Sequence, residues 1–202
     1  MSLEIVGKGK YKELHVDNKF FCVINDFLIL KYKLKSGITL DKTKLDELKN
    51  ESELELGFGL AVDFLSHGRK TEKQVKDYLI KKISLSSTEN IIEKLKSYHY
   101  LDDFEFAKSY IESQKASAGV NKIKQQLILK GVDRGVVDSA INEVEFDDFG
   151  IQKLIKKYMK NKENSAQNLS KLNRFLLNKG YTYEEIKKNV SIHKENDDEG
   201  WD

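Results

Sequence analysis

A short segment recurs three times along this chain at a period of 45 to 49 residues, and nothing else in the sequence constrains the fold as strongly. Phe58-Gly59-Leu60-Ala61, Phe104-Glu105-Phe106-Ala107 and Phe149-Gly150-Ile151-Gln152 align at offsets of 46 and 45. Later in each unit Val75 and Leu79, Ile123 and Leu127, and Leu172 and Leu176 fall 48 and 49 apart, and the last two units close on Lys130-Gly131 and Lys179-Gly180. A fixed period of this size implies a supersecondary unit stacked on copies of itself. Such an array offers a surface to a large partner more readily than a pocket to a small molecule, so binding is expected over catalysis.

Each unit reads as three helices. In the first, Leu60 to His67 forms helix one and ends at Gly68, Thr71…Gln74 is a capping box for helix two, and Ser86…Glu89 is a second box opening helix three. The second carries Phe104, Ala107, Tyr110 and Ile111, then Val120, Ile123 and Leu127, then Val136, Val137, Ala140 and Ile141 at helical spacing. The third has Ile151, Leu154, Ile155 and Tyr158, then Leu169, Leu172, Phe175 and Leu176, and closes with Thr182…Glu185 as a box before Ile186 and Val190. No proline interrupts any of these stripes.

Residues 1–57 differ. Leu3 to Val6, Tyr11 to Val16 and Phe20 to Ile24 are β-rich, and Asp17-Asn18-Lys19 is hairpin-turn chemistry. Asn25 can cap a short helix through Leu34, ended by Gly37, and another helix begins after Asp41. The expected architecture is therefore mainly α: three tandem three-helix repeats in an elongated curved array, with a small N-terminal α/β appendage containing a β-hairpin. The expected boundaries are 1–57 for the appendage, 58–103, 104–148 and 149–193 for the repeats, and 194–202 for an acidic disordered tail.

Composition removes several classes. No apolar run approaches the roughly 20 residues that cross a bilayer, and the N-terminus has no secretory pattern, so a cytoplasmic, monomeric protein is expected. The single cysteine, Cys22, excludes an internal disulfide and reads as a buried small hydrophobe. Charge is segregated: residues 131–148 hold one base against six acids, a net of −5, and residues 149–193 hold ten bases against three acids, a net of +7. Only Arg69, Arg134 and Arg174 are arginine, and lysine serves diffuse anionic surfaces better than it reads base edges.

No catalytic, metal or cofactor site is expected. Asp102-Asp103 is the most metal-like pair, yet adjacent helical residues point about 100° apart, and their place before Phe104 fits an N-cap and first-turn acid. Asp147-Asp148 is expected to repeat that arrangement. Gly7-Lys8-Gly9-Lys10 lacks phosphate-loop spacing, and the four histidines are scattered. The candidate partner-binding residues are basic. Lys122, Lys124, Gln125 and Lys130 lie on the second helix of the second repeat. Lys153, Lys156, Lys157 and Lys160 form a stripe on the first helix of the third, and Lys171 and Arg174 follow on its second helix.

At these residues the sequence resembles the RecX family of bacterial regulators of the RecA recombinase. Tyr100, Leu101, Asp102, Asp103, Phe106 and Ala107 resemble its YLDD-x-x-FA pattern. Gly119, Ile123, Leu127 and Lys130-Gly131 resemble its G-x-x-x-I-x-x-x-L-x-x-K-G pattern. The resemblance covers about residues 57–193 and departs from the family in its lysines, where many members have arginine, and in Asn121. It implies binding along RecA filaments on single-stranded DNA, inhibition of ATP hydrolysis, strand exchange and co-protease activity, and no catalytic residues. A weak direct contact with DNA is also implied, and a helical module acting directly on nucleic acid stands as the alternative.

Overall fold

The computed structural model describes residues 2–7 and 9–198, with side chains to Ile192. It divides into two compact units, Met1–Leu101 and Asp102–Asp202.

The first unit opens with an antiparallel sheet in the order β1 (Leu3–Val6), β2 (Tyr11–Val16), β3 (Lys19–Asn25). Val16 pairs with Lys19, leaving Asp17 and Asn18 as a two-residue turn with φ of 50° and 63°. Both central residues of a type I′ turn need positive φ, which Asp and Asn tolerate. Leu3, Leu14, Cys22 and Ile24 pack with Leu28, Leu34, Leu45 and Leu48 as one core. Burial raises the Cys22 thiol above its usual range. Asn25 caps α1 (Asp26–Lys31) through the Leu28 N–H. That helix stops short of the Leu34 end expected for it, because Lys33 turns left-handed at φ 50° and sends Leu34 into the core.

The largest departure from expectation is α2, which runs unbroken from Lys42 to Ser66. The boundary drawn at 57/58 and the separate helix from Leu60 both fall inside it. Gly57 is no helix end: a Cβ there would lie 2.6 Å from side-chain carbons of both Ile83 and Ile91, so glycine lets the helix press onto its neighbours. The appendage and first repeat thus share a helix. Beyond it lie α3 (Glu72–Leu79), with the expected Thr71–Gln74 box, and α4 (Leu85–Ser97). The second box expected, Ser86…Glu89, is not the start of α4. Ser84 caps it, and Glu53 of α2 accepts from the Ser84 N–H at 3.3 Å and the Ser87 hydroxyl at 3.1 Å. The Ser84 hydroxyl accepts locally from the Ser87 N–H, and a carboxylate from another helix reinforces this end, which local sequence does not reveal. Burial opposes ionisation of Glu53, but the serine donors outweigh it and hold the carboxyl below its usual range.

The second unit contains α5 (Asp103–Gln114), α6 (Val120–Leu129) and α7 (Arg134–Glu143), then α8 (Phe149–Met159), α9 (Ala166–Asn178) and α10 (Tyr183–Asp198). Within each trio every helix packs on the other two. The first core gathers Ala107, Ile111, Ile123, Leu127, Val137 and Ala140, the second Ile151, Ile155, Met159, Leu172, Leu176 and Ile186. Each buried Val, Leu, Ile or Met among them is worth about 1.5–3 kcal/mol over exposure. The two trios meet backbone to backbone. The Gly119 N–H donates to the Lys179 carbonyl at 2.8 Å, a Cβ on Gly119 would lie 2.5 Å from the Gly180 carbonyl oxygen, and one on Gly150 would lie 2.5 Å from the Lys115 carbonyl oxygen.

Thr182 and Glu185 form the reciprocal box that starts α10. The backbone of 194–198 is helical where an acidic disordered tail is expected, since no glycine or proline interrupts the helix before Gly200. The rest of that tail, residues 199–202, lies outside the described residues.

Candidate partner-binding surface

Asp102 and Asp103 are structural in this geometry. The Asp102 carboxylate accepts from the N–H groups of Phe104 and Glu105 at 2.9 and 3.0 Å, capping α5, and Asp103 is the first helical residue. The second pair does not copy the first. Asp147 accepts from the Phe149 N–H at 3.1 Å, while Asp148 pairs with Lys188 at 2.5 Å and accepts from Asn189 at 3.0 Å, both on α10. The Lys188 ammonium and the Asn189 amide hold the Asp148 carboxyl below the usual aspartate range. Asn189 is buried and also donates to the Glu185 carbonyl, so this cluster is a strut between helices. Among the described residues no group of three His, Cys, Asp or Glu side chains is placed to hold a metal.

The motif residues that carry the family resemblance lie mostly in the interior. Leu101, Ala107, Ile123 and Leu127 are buried, Phe106 stacks on Tyr110 with ring centroids 6.2 Å apart, and Gly119 and Gly131 shape the ends of α6. Gly131 takes φ 92°, a left-handed value that ends the helix at low cost only for glycine. Tyr100 differs: it is 58% exposed and meets Tyr98 edge-on at 6.1 Å.

The ten polar candidates separate into two groups. On α6, Lys122 donates to the Asn178 carbonyl at 3.2 Å, Lys124 pairs with Asp138 of α7, and Lys130 sits 5.3 Å from the ring centroid of Tyr110. Lys122 and Lys124 are engaged inside the fold, and Lys130 rests against an aromatic ring. Gln125 is exposed. On α8 the core takes Ile151, Ile155 and Met159, and helical geometry puts Lys153, Lys156, Lys157 and Lys160 on the opposite side, all exposed. Phe149, also on that side, is 61% exposed, with the Lys153 ammonium 5.9 Å from its ring centroid. Lys171 and Arg174 are exposed on α9. Among the described residues no carboxylate pairs with Lys156, Lys157, Lys160, Lys171 or Arg174. The α8 lysines thus form a cationic face with an apolar ring on it, the makings of an anion-binding or acidic-protein surface.

Sequence reasoning did not single out a further cluster. Tyr158 and Phe175 stack across α8 and α9 with centroids 4.9 Å apart, and Lys162 and Lys179 lie 3.6 and 5.6 Å from those rings. The first repeat has the same device: Phe64 and Tyr78 stack at 4.4 Å, with Lys70 and Lys82 each 5.1 Å from a ring. The signal was present in the repeat spacing, since Tyr78 and Phe175 precede the aligned leucines Leu79 and Leu176. In the second repeat Gln126 stands there and accepts from the Tyr110 hydroxyl at 3.0 Å.

Comparison with known proteins falls on the same residues. The family model described as RecX, second three-helix domain, matches residues 102–141. A regulatory protein RecX from Clostridium tetani is 31% identical over 193 residues, spanning 92% of this chain and 89% of the relative. One from Streptococcus thermophilus is 31% identical over 194 residues, spanning 93% of this chain and 75% of the relative. A crystal structure of regulatory protein RecX superposes with a TM-score of 0.71 at 19% identity, covering 94% of this chain and 97% of the other.

Proposed function

This chain belongs to the RecX family, and on that premise we propose that it is a non-enzymatic cytoplasmic regulator that binds RecA filaments on single-stranded DNA and inhibits their recombinase, ATPase and co-protease activities. The observation that carries the proposal is the exposed cationic face of α8, Lys153, Lys156 and Lys157 with Lys160 at its C-cap; Lys171 and Arg174 are also exposed, on α9. A filament of protein on nucleic acid offers an extended anionic surface, and exposed lysines steer encounter with it in a salt-dependent way. A growing filament is cooperative, so one bound molecule acts on many subunits.

The test is the single-stranded-DNA-dependent ATPase of the cognate RecA, with this protein titrated in at low salt. Inhibition well below one molecule per RecA is the expected result, and an unchanged ATPase at excess protein would overturn the proposal. A second reading, direct action on DNA, is favoured by the exposed Phe149 beside Lys153, since a ring amid cations suits an unpaired base. Binding to bare DNA as tight as to the filament, with a steep salt slope, would select it.

A further inference from the structure

The second helix of each repeat ends in the same chemistry. The aligned leucines Leu79, Leu127 and Leu176 are all 0% exposed. The residue after each is a large aliphatic turned outward: Ile80 at 45% exposure, Ile128 at 37% and Leu177 at 44%. Three positions beyond each leucine stands a lysine whose ammonium rests against an aromatic ring. Lys82 lies 5.1 Å from the Tyr78 centroid, Lys130 5.3 Å from Tyr110 and Lys179 5.6 Å from Phe175.

One exposed aliphatic needs no explanation. Three at one repeat position do, because the outer face of an amphipathic helix accepts Lys, Glu or Gln with no loss to the fold. The neighbouring positions have diverged freely: Tyr78, Gln126 and Phe175 precede the leucines, and Lys81, Leu129 and Asn178 follow the aliphatics. Between them the aliphatic is kept each time. The helix ends themselves differ, α3 stopping at Leu79 and the other two running past the aliphatic to Leu129 and Asn178, so the shared residue is not dictated by a shared cap.

We propose that these three helix ends are one contact element in triplicate. The aliphatic enters an apolar recess on a protein partner, and the ring-held lysine meets a carboxylate at the rim of that recess. Contact with a ring limits the motion of each lysine, so less freedom is lost when it pairs. Three copies of one element on one chain suit a partner that presents the same apolar and acidic patch repeatedly. Resting on the reading above, that partner is the filament protein itself, not its DNA.

The experiment uses the full chain with Ile80→Gln, Ile128→Gln and Leu177→Gln, singly and together, and Leu30→Gln as a control. Leu30 is 77% exposed on α1, outside the repeated element. Binding to RecA filaments on oligo(dT), and to oligo(dT) alone, is followed by fluorescence anisotropy, with helical circular dichroism as the check on folding. Each single substitution should weaken filament binding by about fivefold and the triple by about a hundredfold, with Leu30→Gln unchanged. Filament binding by the unaltered chain with no change in the triple overturns this inference alone. No filament binding by the unaltered chain overturns the family reading and this inference with it. Equal losses on filament and on bare oligo(dT) assign the surface to nucleic acid and overturn the protein contact. Should the triple unfold, the graded losses of the singles decide the matter, and their absence overturns the proposal.

Discussion

The lysines of α6 and those of α8 look alike in the sequence and behave differently in the structure. Both sets are clusters of lysine along an amphipathic helix, Lys122, Lys124 and Lys130 in one and Lys153, Lys156, Lys157 and Lys160 in the other. Lys122 and Lys124 are drawn onto a carbonyl and a carboxylate, whereas Lys156, Lys157 and Lys160 face outward with no acidic partner among the described residues. The segregated charge explains this. The block of net −5 over residues 131–148 supplies Asp138 to Lys124 and Glu143 to Lys108, so the second repeat neutralises itself. The block of net +7 that follows has few acids of its own, and one of its lysines, Lys188, borrows Asp148 from its edge. Charge becomes available for a partner where the fold has run out of counter-charge, not where the sequence is merely basic.

The comparison is sharpest if the second and third repeats are first taken apart. Gly180 has φ 91°, and a Cβ there would lie 2.4 Å from the Lys122 amide nitrogen. Gly180→Ala therefore incurs both left-handed strain and a backbone clash, and should cost about 2–4 kcal/mol in denaturant unfolding. Gly119→Ala, with ordinary φ but 2.5 Å from the Gly180 carbonyl oxygen, should cost nearly as much. Wild-type stability in either variant would mean that the joint gives way easily, and the α6 contact from Lys122 to Asn178 would lose its structural meaning.

Next in size is charge reversal on each helix. Lys153, Lys156, Lys157 and Lys160 to Glu should weaken filament binding by tenfold or more, as an order of magnitude for several steering charges. Stability should move by only about 0.5 kcal/mol, as for most surface changes. The matching reversal of Lys122 and Lys124 should do the opposite, lowering stability by about 1–2 kcal/mol with a smaller effect on binding. Equal binding losses from the two sets would erase the distinction between them.

What was legible in the sequence is what local chemistry decides. The Asp17-Asn18 turn, the caps at Asn25, Asp41, Thr71 and Asp102, and the Thr182 box could all be read because donor and acceptor lie within four residues. The core stripes could be read because burial follows the helical period. Ser84 escaped although its cap on the Ser87 N–H is local, because Ser86…Glu89 offers a competing box two residues on and the Glu53 carboxylate that also holds Ser84 is 31 residues away on α2. The run of α2 through Gly57 escaped because glycine there answers to Ile83 and Ile91, side chains that only the fold brings near. The fate of the α6 lysines escaped for the same reason, since it is decided by α5, α7 and α9.

The smallest expected effect separates two aspartate pairs that read as equivalent. Asp102 caps α5 through backbone N–H groups, whereas Asp148 braces α8 against Lys188 and Asn189 of α10. Its carboxyl is held below the ordinary value of 3.8, first by the Lys188 contact and then by Asn189, with partial burial opposing them. A depressed folded pKa means that the unfolded chain takes up the proton first as pH falls. The stabilisation is complete above the ordinary aspartate value and is lost as pH drops through the lower folded one. The group is partly exposed, so solvent screens the pair and the effect is modest. Unfolding midpoints between about pH 5 and 2 should therefore fall less steeply in Asp148→Asn than in the unaltered chain. Identical acid slopes would show that Asp148 is no more a strut than Asp147, and that the third repeat does copy the second at this corner after all.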